Sequence, residues 1–175
     1  MTNIRLWVGC CAALAVGLSA SAAERTWTGL GGNHLWSTPA NWSETTPPAD
    51  GDTVVFANAG AEALVTTDNL PELKLAAVCV LAGGPVTIDG EQLDLSGATS
   101  GLAKGCLVTN GCSLLTVNAP LALSGTGSVY FDGNIAFNGA VEIADGQNVT
   151  LSREYAVSGA ARRMDFNAPV TGPDA

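Results

Sequence analysis

From Thr53 to Ala175 the apolar residues come mostly in runs of three to five, each closed by Gly, Asn or Asp. Thr53-Val-Val-Phe-Ala57, Ala63-Leu-Val-Thr-Thr67, Val86-Thr-Ile88, Leu93-Asp-Leu95 and Leu114-Leu-Thr-Val117 are of this kind. So are Leu121-Ala-Leu123, Ser128-Val-Tyr-Phe131, Ile135-Ala-Phe137, Val141-Glu-Ile143 and Val149-Thr-Leu151. An amphipathic helix needs apolar residues recurring every three to four positions, and no stretch sustains that period. Short β-branched and aromatic runs between turn formers read instead as strands. Only Leu73 to Ala82, with its three alanines, also tolerates a helical turn. The fold class is therefore all-β.

Internal similarity narrows the architecture. Thr116-Val-Asn118-Ala-Pro120-Leu-Ala-Leu-Ser-Gly125 echoes Asp165-Phe-Asn167-Ala-Pro169-Val-Thr-Gly172. Ala136-Phe-Asn138-Gly-Ala-Val141 is a weaker third copy, so the three Asn residues stand 20 and 29 positions apart. Coils of about 20–29 residues are the periods of solenoids. A short strand, a corner Asn and a second short strand make one rung. Asn accepts left-handed corner geometry, and stacked Asn side chains can bond to one another. The alternative for so many short strands is a β-sandwich. The third copy stops at Ala168-Pro-Val-Thr-Gly-Pro-Asp-Ala175 without a cap, so residues 53–175 are expected to be solenoid rungs of a longer protein.

The first 23 residues have a different character. Arg5 precedes an uncharged apolar run, Leu6 to Leu18, and Ser19-Ala20-Ser21-Ala22-Ala23 offers small residues for cleavage after Ala22 or Ala23. This is the layout of a secretory signal peptide. The 13-residue run is shorter than the ~20 residues a spanning helix needs, and no other segment approaches that length. Removing residues 1–23 leaves six basic against 16 acidic side chains, a net charge of −10. Nucleic acid is a poor partner for such a chain, because phosphate binding calls for clustered Lys and Arg.

Residues 24–52 hold Trp27, Trp36 and Trp42, the only Trp residues after the leader, in a segment that Gly and Pro interrupt too often for a helix. Large aromatics so concentrated either cover an apolar end or bind something flat, such as a sugar ring. The cap reading ranks ahead of the ligand platform. Cys106 and Cys112 are a candidate disulfide in an oxidising compartment. The competing reading makes them, with Cys79, small buried hydrophobes.

The Trp-rich segment carries an ordered series: Trp27-Thr-Gly29, Leu35-Trp36-Ser37, Ala40-Asn41-Trp42-Ser43, then Pro48 with Gly51-Asp52-Thr53-Val-Val-Phe56. It resembles the opening of bacterial exported proteins with autotransporter-associated β-strand repeats. The resemblance implies a right-handed parallel β-helix, a passenger-like domain displayed on or released from a Gram-negative-type cell. It implies an adhesin-like role toward surface glycans or other cells, and no catalytic residues. This chain lacks that family's usual Thr/Gly-rich repeat strings and any barrel or sorting segment.

No nucleophile elbow, zinc-protease helix, phosphate loop or dinucleotide fingerprint occurs. His34 alone makes no triad, and its Gly-Gly-Asn-His setting reads as loop. Asp89, Glu91 and Asp94 form the densest acidic cluster, which as paired carboxylates would suit a β-helical polysaccharide-degrading enzyme. The nearest base is Lys104, and a solvated turn is the simpler reading. No cofactor motif is present. Asp50-Gly51-Asp52 and Asp89-Gly90-Glu91 offer oxygen ligands of the type calcium takes, but match no calcium loop. Asn41-Trp-Ser43 and Asn148-Val-Thr150 fit the glycosylation acceptor pattern.

Overall fold

The computed structural model describes residues 22–57, 62–81, 83–97, 107–125, 127–147, 149–152 and 163–172. The signal segment through Ser21, Cys106, Lys104 and Asn148 lie outside them, as does the side chain of Cys112. The strands are β1 (Glu24–Thr26), β2 (Thr53–Phe56), β3 (Leu64–Asp68), β4 (Lys74–Leu75) and β5 (Ala77–Val80). They continue as β6 (Val86–Gly90), β7 (Leu93–Leu95), β8 (Leu107–Val117), β9 (Leu121–Leu123) and β10 (Gly127–Phe137). Last come β11 (Val141–Ile143), β12 (Val149–Ser152), β13 (Met164–Phe166) and β14 (Val170–Thr171).

Every strand ladder among the described residues is parallel. A sandwich of hairpins would instead pair its strands antiparallel. The ladders fall into three sets. The first stacks β1, β2, β5, the start of β8, the start of β10, and β12. The second stacks β3, β6, the ends of β8 and β10, and β13. The third stacks β4, β7, β9, β11 and β14. The chain visits the three sets in rotation, and each circuit lays its strands on those of the circuit before. Parallel neighbours require such long connections, because no tight hairpin can join them.

Register puts like residues in columns. Val54, Val78, Leu107 and Val129 are successive partners, as are Leu75, Leu95 and Leu123, and all seven are buried. Val86, Leu115 and Ile135 form a third inward column. One circuit cannot bury its apolar face alone, and stacking produces the continuous core. A second cluster of Val55, Ala77 and Cys79, with Leu81 and Val108 against it, is separate from that core. Burial pushes the Cys79 thiol up to about 12, so it stays protonated and inert at neutral pH.

Two local expectations need correction. Leu73 to Ala82 holds no helical turn: it is β4 and β5 with a corner at Ala76. Leu75, Val78 and Val80 feed the main core while Ala77 and Cys79 feed the second cluster, an alternation only a strand supplies. The run Leu114-Leu-Thr-Val117 is the end of a longer strand, because β8 extends from Leu107 to Val117. Likewise β10 joins two runs read as separate, with its register shift between Asp132 and Asn134 absorbing the bend.

Candidate functional site

The three Trp residues meet at the start of the core. Trp42 stands edge-on to Trp27 and to Trp36, with ring centroids 5.0 and 5.9 Å away. Phe56 lies 6.2 Å from Trp27 and 6.0 Å from Trp36. Their exposures are 7% for Trp27, 0% for Trp36 and 1% for Trp42, so no indole face is open to a sugar. Trp42 Nε1 donates to Trp36 O at 2.7 Å, which satisfies one indole inside the cluster.

Residues around them hold this aperiodic segment in place. Asn41 is fully buried: Oδ1 accepts from Gly31 N at 2.7 Å, and Nδ2 donates to Asn33 O, Asn33 Oδ1 and Leu35 O. A side chain so engaged is not available to an oligosaccharide, which removes Asn41 as a glycosylation acceptor. Asp52, 1% exposed, accepts from Ala23 N and Arg25 Nε at 2.8 Å and from Ala49 N at 3.1 Å. Asp50 Oδ1 accepts from Lys74 N at 2.9 Å. The Asp50–Asp52 turn therefore spends its carboxylates on internal donors. Among the described residues no group of three or more His, Cys, Asp or Glu is placed to hold a metal ion. His34 is an exposed loop residue whose carbonyl accepts Thr67 N at 2.8 Å.

The corner asparagines stack. Asn167 Nδ2 donates to Asn138 Oδ1 at 2.8 Å, and Asn138 Nδ2 donates to Asn118 Oδ1 at 2.7 Å. Asn118 Nδ2 in turn donates to Asp89 Oδ1 at 2.6 Å. The column thus has a direction, each amide handing its donor toward the Trp end, and it finishes on a carboxylate. Bonds to an ionised acceptor are the stronger kind, so Asp89 anchors the series.

The acidic cluster does not converge. Asp89 lies on β6 in the second set of ladders, while Asp94 lies on β7 in the third and accepts from Ser124 Oγ one circuit on. Glu91 and Asp94 line an open polar groove of about 710 Å³ with Asp50, Glu72, Lys74 and Gln92.

Sequence reading missed Asp68. It sits at the end of β3 at 1% exposure, with Oδ1 accepting from Leu70 N at 2.9 Å. Oδ2 is buried and accepts no hydrogen bond, Thr66 Oγ1 is buried without a partner, and the indole N–H groups of Trp27 and Trp36 are buried without an acceptor. Desolvation, reinforced by the charge of Glu91, pushes its carboxyl up to about 6. Leu35 bridges Thr67 in parallel, so the next residues along, Trp36 and Asp68, are neighbours in register and both buried.

No family model matches this chain, and neither the curated proteins nor the solved structures contain a match to it.

Proposed function

We propose that the chain is a right-handed parallel β-helix serving as an exported, non-enzymatic scaffold, a passenger-like domain at the surface of a Gram-negative-type cell. The observation that carries this reading is the three-way rotation of parallel ladders with an Asn column along one corner. Such an arrangement spends its polar side chains on holding circuits together. Asp89, Asn118, Asn138, Asp94 and Ser124 all bond to a neighbouring circuit. The role that remains is to project surface toward glycans or other cells. The signal-like leader supports export, and the Trp-rich opening series supports the passenger resemblance. Burial of Trp27, Trp36 and Trp42 supports their role as the cap of the helix rather than as a ligand platform.

Two measurements test this. Small-angle scattering is expected to give an elongated particle with a rod-like cross-section, and a compact globular envelope would refute the β-helix. Trp36→Ala removes a fully buried indole, and large-to-small changes of this type cost about 3–5 kcal/mol. The expected result is lost stability with no glycan-array signal to lose. A folded variant that has lost a glycan signal seen in the parent would overturn the cap role.

A further inference from the structure

The three asparagines of the column differ in the residue that follows. Asn118 and Asn167 precede Ala119 and Ala168, while Asn138 precedes Gly139. The fold calls for both members of that pair, for separate reasons. Asn138 is the middle rung, whose Oδ1 accepts from Asn167 and whose Nδ2 donates to Asn118. Gly139 lies against the circuit before, where a Cβ would stand 2.2 Å from Ala119 O and 2.5 Å from Ala119 C. Asn138 is exposed for all its bonds. An exposed Asn before Gly is the pair most open to backbone attack on the side-chain amide, because no Cβ shields the following nitrogen.

We propose that Asn138 is a site of spontaneous deamidation and that the asparagine column sets its rate. The Gly139 nitrogen gives up its proton and adds to Cγ of Asn138. The Cγ–Nδ2 bond breaks, and Nδ2 takes up a proton and leaves as ammonia. Water then opens the succinimide ring at one of its two carbonyls, giving aspartate or isoaspartate. The stacked chain opposes the first step at both reacting groups. The Asn138 amide is held through Oδ1 and Nδ2 by the circuits on either side, and the Gly139 N–H is engaged with Val117 O at 3.3 Å. Reaction therefore waits for the corner to open, a local event that costs less than global unfolding. The product cuts the column at its middle. An ionised carboxylate has no proton to donate, so it sets an acceptor against Asn118 Oδ1 where a 2.7 Å hydrogen bond now stands.

The test follows both Asn-Gly pairs of the chain, Asn138-Gly139 and Asn110-Gly111, during incubation at mildly alkaline pH. Fragment-ion mass spectrometry locates each conversion of amide to acid and separates aspartate from isoaspartate. Asn110 lies within β8 and outside the column, so it is the reference. Conversion at Asn138 is expected to run at least about tenfold slower in the folded chain than in urea. Asn118→Ala and Asn167→Ala each release one end of the Asn138 amide, and each is expected to speed conversion there about three- to tenfold with the rate at Asn110 unchanged. Asn138→Asp supplies the product directly and is expected to lower the folding equilibrium constant about tenfold. A folded chain that never converts at Asn138, equal rates there in the folded chain and in urea, an increase shared equally by Asn110, or an Asn138→Asp chain as stable as the parent would each overturn the proposal. None of these outcomes touches the elongated shape that tests the scaffold.

Discussion

Asp68 makes the stability of the first circuits depend on pH in an unusual direction. An exposed Asp titrates near 3.8, and burial raises this one to about 6. The folded chain therefore holds the proton more tightly than the unfolded chain. Below about pH 4 both states are protonated and the group contributes no pH dependence. Between about 4 and 6 the unfolded state ionises and gains water while the folded state cannot follow, so stability falls as pH rises. Above 6 the loss is complete. Each pKa unit is worth about 1.4 kcal/mol, and a rise from 3.8 to about 6 thus removes about 3 kcal/mol by pH 7. Asp68→Asn keeps the shape and the acceptor for Leu70 N but abolishes the titration. Urea unfolding followed by Trp fluorescence, with Trp36 the register neighbour of Asp68, reports the stability of both proteins from pH 3.5 to 7.5. The variant is expected to gain about 3 kcal/mol on the parent between pH 4 and pH 7. A difference that stays constant across that range would refute the reasoning, whatever its absolute size.

Three further perturbations probe the stacking itself. Asn138→Ala deletes the amide that both donates to Asn118 and accepts from Asn167, and is expected to cost about 1–2 kcal/mol in chemical denaturation. Gly125→Ala sets a Cβ 1.7 Å from Ser96 O, a backbone atom of the circuit before. Overpacking of this kind costs about 1–3 kcal/mol, and crowding from backbone puts the expected loss of thermal stability at the upper end. Asp52→Ala strips three donors of their acceptor, including the part-buried contact with Arg25. Leaving such donors without an acceptor costs about 1–3 kcal/mol, and the expected sign in a thermal melt is early loss of Trp fluorescence anisotropy.

What the sequence disclosed about the fold depended on translation. A stacked chain repeats the same environment every circuit, so Asn118, Asn138 and Asn167 recur in the same local phrase and mark their column in the sequence itself. The strands were legible for a related reason, since most alternate between the interior and the outer face, while β2 and β5 are buried on both. The Trp-rich segment has no repeat to betray it. Asn41 and Asp52 stand in a segment where every bond is made once, between residues such as Asp52 and Ala23 that lie 29 positions apart. Nothing in the local wording of Asn41-Trp-Ser43 separates a buried amide with four contacts from an exposed glycosylation acceptor.

Asp68 was hidden by a different cause, the parity of β3. Read alone, Leu64-Val-Thr-Thr-Asp68 gives no reason to send Thr66 and Asp68 inward and leave Val65 out. In the structure Val65 is 39% exposed while Thr66 and Asp68 are at 0% and 1%. The choice is made by the partner. Thr66 pairs with Ile88 and Leu64 with Val86, both of which must face the core, and a parallel ladder fixes the same parity on both strands. A slip of one residue would bring Val65 in and relieve Asp68, but it would carry Leu64 out and detach Thr67 from its bridge to Leu35. It would also move Asp68 off Gly90, whose φ of +112° and missing Cβ accommodate Asp68 O within 1.9 Å of where that atom would stand. The buried carboxyl is thus the cost of a register set by its neighbours. It falls beside the buried Trp cluster, where the stacked strands meet a segment that does not repeat.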